Sequence, residues 1–217
     1  MALLGEGTKL RGVPIIEVRE GSVTDADVDV LVNASNTMLR LGSGVSNAIR
    51  MACGPGYQAF LDGELARHGG GLEPGAVVMT HAGTHPRARC VAHVAVMDYR
   101  EDAGGPAPDR ARIERGTIAL WEQIEQVDLP LVSVGMVALG AGTGNLGVRG
   151  PTTIACETLK AHVASRSSKL ARVVFHGYSM VEYLNVLDVV ALAFRLDLGA
   201  VDPSVRAYIE QLRKSGV

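Results

Sequence analysis

The stretch Val30-Leu-Val-Asn-Ala-Ser-Asn-Thr-Met-Leu-Arg-Leu-Gly-Ser-Gly-Val-Ser-Asn-Ala-Ile49 decides how this chain is read. An apolar run ends in two asparagines, Asn33 and Asn36. A glycine-rich turn, Gly42-Ser43-Gly44, follows, and at Val45 and Ser46 a helix-like segment begins. Strand, amide-bearing loop, glycines and helix start together make a backbone cradle for an anion. Glycines let the main chain approach a phosphate closely. A helix N-terminus offers unpaired N–H groups and a partial positive charge. The asparagines add amides suited to sugar hydroxyls, so the stretch reads as part of a nucleotide-like site.

A second loop of the same kind, Leu139-Gly-Ala-Gly-Thr-Gly-Asn-Leu-Gly147, follows another apolar run. Gly142, Gly144 and Gly147 satisfy the GxGxxG spacing of dinucleotide-binding folds. That fingerprint needs an acidic residue about 20 positions later for the ribose, and no Asp or Glu lies between Glu157 and Glu182. The better reading couples the two glycine loops. In a parallel α/β sheet, loops that follow strands meet at the carboxyl edge, where ligands bind. Two loops of N–H groups facing one cleft suit a diphosphate, and each helix end favours an anion by about 0.3–1 kcal/mol.

Outward from these loops, apolar strand candidates alternate with helical segments. Val13–Val18, Asp27–Val32, Ala76–Met79, Arg89–Met97, Leu131–Ala138 and Ala171–Phe175 read as strands. Ser46–Ala52, Tyr57–His68, Arg110–Val127 and Thr152–Ser165 read as helices, and Asp102–Asp109 as a Gly- and Pro-rich loop. The alternation predicts a layered α/β domain with a mostly parallel sheet. After Tyr178 the chain reads as helical. Met180, Leu184, Leu187, Ala191 and Phe194 form a core-facing stripe, and Val205–Lys214 forms a last short helix.

Composition narrows the function classes. The chain has 217 residues, 47% of them hydrophobic, which fits one globular domain or one domain with an extension. A net charge of −2 and 4% aromatic residues argue against a dedicated nucleic-acid binder. Cys53, Cys90 and Cys156 form no CxxC pair and read as buried thiols in a reducing cytosol. His81 and His85 lie four apart, but Gly83 and Pro86 break any helix between them, so no metal site is expected. No apolar run approaches the ~18 residues of a membrane span. Met1–Glu6 is too short and acidic for a secretory signal. The expectation is a soluble, cytoplasmic protein without cofactor or membrane contact.

These residues resemble the macro domain family of ADP-ribose-binding modules over roughly Pro14–Phe175. Val28-Asp-Val-Leu-Val-Asn-Ala-Ser-Asn36 is similar to the family's VDxIVNAAN run, and Leu41-Gly-Ser-Gly-Val45 to its first diphosphate loop. Gly75–Thr80 and Pro86–His93 are similar to its GxAxxT and PAxxVIH segments, and Gly140–Gly147 to its second loop. The resemblance implies a three-layer α/β/α sandwich around a mixed, mostly parallel six-stranded sheet. Residues 1–178 would form that domain, and residues 179–217 a C-terminal helical extension packed on it. It implies ADP-ribose in a cleft at the carboxyl end of the sheet. Asn36 would contact the distal ribose. Gly44 and Val45 would line one side of the diphosphate, and Gly142, Thr143, Gly144, Asn145 and Leu146 the other. His93 falls in a core strand and reads as a buried, hydrogen-bonded histidine.

Three departures from the family pattern bear on function. Gly21-Ser22-Val23 stands where the family often has Gly-Asp-Ile, whose aspartate accepts from the adenine amino group. Ser46 stands where hydrolytic members carry an aspartate. A serine hydroxyl is no general base near neutral pH, and losing such a group removes about 10²–10⁴ in rate. Ser46 reads instead as a helix N-cap. Leu146 replaces an aromatic against the distal ribose. Tyr178, after the last strand, is either a stacking residue for adenine or a core residue. Three functions remain open: an ADP-ribose-binding module; a hydrolase or deacetylase working through Asn36, the two loops and the substrate's own phosphate; and a protein-interaction scaffold with a vestigial cleft.

Overall fold

The computed structural model describes residues 13–100, 107–199 and 201–215. The N-terminal hexapeptide and most of the Asp102–Asp109 loop lie outside them. The strands are β1 Ile15–Glu20, β2 Val30–Asn36, β3 Val77–His81, β4 Cys90–Met97, β5 Val132–Val137 and β6 Leu170–Gly177. The helices are α1 Gly44–Cys53, α2 Tyr57–Arg67, α3 Arg110–Ile124, α4 Arg149–Ser165, α5 Met180–Phe194 and α6 Pro203–Ser215, with a 3-10 turn at Val23–Asp25. One six-stranded sheet runs in the order β1-β6-β5-β2-β4-β3. Only β3 and β4 pair antiparallel; the other pairings are parallel.

Both faces of the sheet are covered, which is why its central strands lack polar alternation. Val30, Leu31 and Val32 of β2 are all fully buried. Val30 and Val32 join the core beneath α3, α4 and α5, whereas Leu31 joins the core beneath α1 and α2. Helix α3 meets α4 through Trp121, whose indole Nε1 donates to Thr158 Oγ1 at 3.0 Å. This is the three-layer α/β/α arrangement with a mixed sheet that the sequence predicts.

Two boundaries differ from the sequence reading in ways that matter for the site. Strand β2 runs through Asn33 and Asn36 instead of stopping at Val32, because both amides find partners within the fold. Asp27 to Asp29 precede the strand, and Asp29 accepts from Ser133 N and Oγ at 2.9 and 2.6 Å. That bond registers β2 against β5. Helix α1 begins at Gly44, two residues before Ser46.

The tail belongs to the same helical layer. Leu187 and Val190 of α5 are fully buried in the core that contains β1 and β6. Asp188, 1% exposed, holds the last two helices together. Its carboxylate accepts from Arg149 Nη2 of α4 at 2.8 Å and from Arg213 Nε of α6 at 2.7 Å. Met180 at the start of the predicted stripe is instead half exposed.

Replacing Asp188 by Ala removes both charge-assisted bonds. The variant is expected to lose about 1–3 kcal/mol in urea denaturation and to show faster amide exchange in α6 than in α3.

Candidate functional site

Strands β2 and β5 are parallel neighbours, with Val30 opposite Val134 and Leu31 opposite Gly135. Their carboxyl ends therefore release the two glycine loops side by side. Between them lies a cleft of about 680 Å³, within the range of small-molecule sites. Gly42, Ser43, Gly44, Val45 and Ser46 line one wall, and Gly140 to Gly144 the other.

The first wall is a helix N-terminus without a side-chain cap. Ser43 holds the cap position in extended conformation but makes no side-chain hydrogen bond to the helix. The predicted cap, Ser46, lies inside the first turn, because the helix starts at Gly44. Gly44 has φ +53°, a left-handed value that a side chain would strain. The first-turn N–H groups thus have no hydroxyl competing for them, and they face the cleft with the helix dipole behind them.

The second wall is packed more tightly. A Cβ on Gly144 would lie 2.4 Å from the Gly140 carbonyl oxygen and 2.9 Å from Pro108 Cδ, so any side chain there forces the loop to move. Gly142 has open space on that side. Asn145 and Leu146 do not line the cleft, contrary to the sequence reading. Asn145 adopts a left-handed φ of +55°, its N–H donates to Gly142 O, and Leu146 N–H donates back to Gly140 O at 3.2 Å. This turn lays the Leu146 side chain over Gly140.

The two asparagines separate by role. Asn36 lines the cleft but is already heavily engaged. Its Oδ1 accepts from Met38 N and Arg40 N, both at 3.1 Å, and its Nδ2 donates to Arg40 O at 2.8 Å. One N–H remains for a ligand. Asn33 is fully buried and does not reach the cleft. Its Oδ1 accepts from Ser46 Oγ at 2.9 Å and its Nδ2 donates to His93 Nδ1 at 3.0 Å.

His93 completes a buried relay. Since Nδ1 accepts, Nε2 carries the proton and donates toward Thr80 Oγ1 and Tyr57 Oη, both 3.2 Å away. Burial pushes the imidazole down from 6.5 to about 3, so the ring stays neutral, as a core histidine. Ser46 Oγ also lies 3.2 Å from Ala34 O. Its only proton is held by these floor acceptors.

The far ends of the cleft follow the strand order. At the β1/β6 end lie Gly21, Ser22, Val23, His176, Tyr178 and Glu182. Tyr178 is 76% exposed, which rules out the core alternative. Ser22 Oγ accepts from Thr24 N at 3.3 Å and lies 2.8 Å from Thr24 Oγ1, so it caps the 3-10 turn. At the β2/β4 end lie Asn36, Met38, Arg40, Met97 and Tyr99. Glu182, Arg40 and Tyr99 were missed as site residues in the sequence, and His176 is legible there only as the start of the loop His176–Tyr178 expected beside the adenine. Tyr99 and His176 share one signal that marks them, a position at the carboxyl end of a buried strand.

The remaining candidates stay apart from the cleft. His81 Nδ1 accepts from Gly83 N, and His85 Nδ1 from Ala88 N. No cluster of metal-ligating side chains occurs among the described residues. Cys53 and Cys156 are buried and Cys90 half-buried, all three free. Burial pushes the Cys156 thiol up to about 12. No helix among the described residues is long and apolar enough to cross a membrane.

The relay carries a pH signature. The unfolded chain protonates His93 below about 6.5, the folded protein only below about 3. Between these values the unfolded state binds more protons, so stability falls as pH falls, by up to about 1.4 kcal/mol per unit. Burial of His176, lowered to about 4, adds in the same direction. Urea denaturation at about pH 7.5 and about pH 5 should show this loss in the wild type and a shallower slope in His93→Gln.

The Macro domain family matches residues 32–155, more than half of the chain. An uncharacterized protein of Mycobacterium tuberculosis is 34% identical over 167 residues, covering 75% of this chain and 41% of that relative. The chain thus spans about two fifths of the length of the first curated relatives it matches. An O-acetyl-ADP-ribose deacetylase of Cronobacter sakazakii is 43% identical over 68 residues, 31% of this chain and 37% of the relative. Among solved structures, a mutant Oceanobacillus iheyensis macrodomain with ADPR superposes with a TM-score of 0.71 at 19% identity, covering 90% and 98% of the two chains. A Trypanosoma brucei macrodomain in complex with ADP-ribose gives 0.68 at 23% identity, covering 85% and 72%. The matched segment and the fold agree: the chain belongs to the macro domain family.

Proposed function

We propose that this chain binds ADP-ribose, free or attached to another molecule, and holds it without efficient hydrolysis. The observation that carries this reading is the pair of glycine loops on adjacent parallel strands, facing each other across one cleft. A diphosphate between them meets the uncapped first turn of α1 on one side and the Gly142–Gly144 main chain on the other. One ribose and the base then lie toward β1 and β6, with Tyr178 presenting a ring face. The distal ribose lies toward β2 and β4, where Asn36 retains one N–H. The macrodomains named above that hold ADP-ribose support ADP-ribose as the ligand. Three free cysteines suit the reducing, cytoplasmic setting read from the sequence.

The distribution of acid–base groups supports holding over cutting. Glu182 and His176 are the carboxylate and imidazole that line the cleft, and both sit at the β1/β6 end. The distal ribose end, at β2 and β4, is two to three strand spacings from β6, about 10–15 Å. No carboxylate or imidazole lines that end, and the Ser46 hydroxyl donates its hydrogen bond to the floor. A second reading, deacetylation of O-acetyl-ADP-ribose, is favoured by the deacetylase relative. It requires water to be positioned by the loops and the ligand's phosphate alone.

Calorimetry and thermal shift with ADP-ribose test the first reading. Saturating ligand, at about 100 times Kd, should stabilise the fold by about 2.7 kcal/mol; no heat and no shift at millimolar ligand would refute it. Gly142→Glu is the cleft-blocking variant, because a side chain fits there without touching the loop. It should keep the melting temperature within about 2 °C and weaken binding at least about tenfold through repulsion of the diphosphate. Release of acetate or of protein-linked ADP-ribose well above a buffer control, and lost in Gly142→Glu, would establish the enzyme reading instead.

A further inference from the structure

We propose that His176 reads the base of the bound nucleotide. Its ring nitrogen Nε2 accepts a hydrogen bond from an exocyclic amino group, so the cleft selects a 6-aminopurine over a 6-oxopurine. This inference rests on the ADP-ribose reading above and sharpens it.

The first observation is an orphaned atom. Among the described residues, His176 Nε2 is the one buried side-chain nitrogen or oxygen without a hydrogen-bond partner. Native proteins leave few such atoms, and each calls for a reason. The second is its place. His176 lies near the end of β6, paired with Arg19 of β1 and with Val137 of β5, and it lines the β1/β6 end of the cleft. The third is its tautomer. Nδ1 lies 3.3 Å from Gly21 O. A carbonyl oxygen only accepts, so Nδ1 holds the proton and Nε2 is a bare acceptor.

The neighbours fit this role. Ser22 is the other small polar side chain at this end, and Thr24 occupies its hydroxyl. The Glu182 carboxylate accepts from Tyr178 N at 2.9 Å. His176 is therefore the acceptor left without a task. Tyr178, exposed two residues later, offers a flat face for the same base. The ring also stays in its accepting form at neutral pH. Burial lowers its pKa to about 4, outweighing the opposing hydrogen bond to Gly21 O; Arg19 adds to the lowering, and Asp25 and Glu17 oppose it more weakly. The nitrogen is covered in the free protein, so this recognition requires its cover to shift as the base enters.

A 6-amino group presents a proton to Nε2, whereas a 6-oxo group presents lone pairs. A buried acceptor facing lone pairs loses its bond and keeps its desolvation penalty.

The test compares ADP-ribose with its inosine counterpart by calorimetry on the full chain. Wild type should bind the 6-amino nucleotide roughly tenfold tighter or more. His176→Phe keeps a ring of similar size without the acceptor and should bring the ratio to within about twofold. His176→Gln retains an amide oxygen and should keep part of the preference. ¹⁵N NMR of the wild type gives a readout that survives misfolding of either variant. The Nε2 resonance should move upfield on adding ADP-ribose and stay in place with ribose 5-phosphate. An unchanged ratio in a folded His176→Phe, or an Nε2 signal unmoved by bound ADP-ribose, overturns this inference alone. Failure of the wild type to bind either nucleotide overturns the ADP-ribose reading, and this inference with it.

Discussion

The hydrogen bond from Ser46 Oγ to Asn33 Oδ1, 2.9 Å long, joins the first turn of α1 to the middle of the sheet. Asn33 passes the connection to His93 on the neighbouring strand, and His93 passes it to Thr80 on the sheet's edge strand and to Tyr57 at the start of α2. One polar chain thus fixes three strands and two helices relative to each other. Inside a low-dielectric core such a chain strengthens along its length, and any member left unpaired would cost about 1–3 kcal/mol. The relay sets where the N-terminus of α1 points, and therefore where an anion is drawn.

The same bond limits the chemistry of the cleft. A residue that anchors a helix with its only proton has none left to give to a leaving group, and a neutral hydroxyl does not take one from water. Asn36 is constrained in a similar way, because it closes the turn between β2 and the first glycine loop with three of its four hydrogen-bonding positions. The side chains under the cleft are bound into the protein. Between the two glycine loops a diphosphate would meet chiefly main chain, a surface that would stabilise its ground state as well as any transition state. Uniform binding of that kind gives affinity without rate.

Much of this was readable from the chain, and the misses share a physical cause. The two glycine loops were legible because apolar run, glycines and helix start are local features. The layered fold was legible because strands buried on both faces read as continuous apolar runs. The asparagines were harder. Asn33 and Asn36 carry identical chemistry three residues apart, and the sheet register, with its irregularity between Ser35 and Asn36, decides which one enters the core. Ser46 looks like a cap in sequence, but the cap position is set by where the backbone leaves the helix, which is Ser43. Leu146 fails because one left-handed residue, Asn145, redirects it. The position of His176 at a strand end is local, but its contact with Gly21 O spans 155 positions and needs the pairing of β6 with β1.

The heavy-atom positions of the relay do not by themselves fix its direction. Each of its members can work in the opposite direction. The Asn33 amide can turn over to present its NH₂ toward α1. His93 then moves its proton to Nδ1 and accepts through Nε2 from the hydroxyl of Tyr57 or Thr80, which rotate to suit. In that reversed state the floor donates to residue 46 instead of accepting from it, which is what a carboxylate at that position requires. The heavy-atom positions of the scaffold need not change. A carboxylate at position 46 would fix the chain beneath it in the donating direction, whereas the Ser46 hydroxyl, which donates to Asn33 Oδ1 here, is compatible with a floor that accepts.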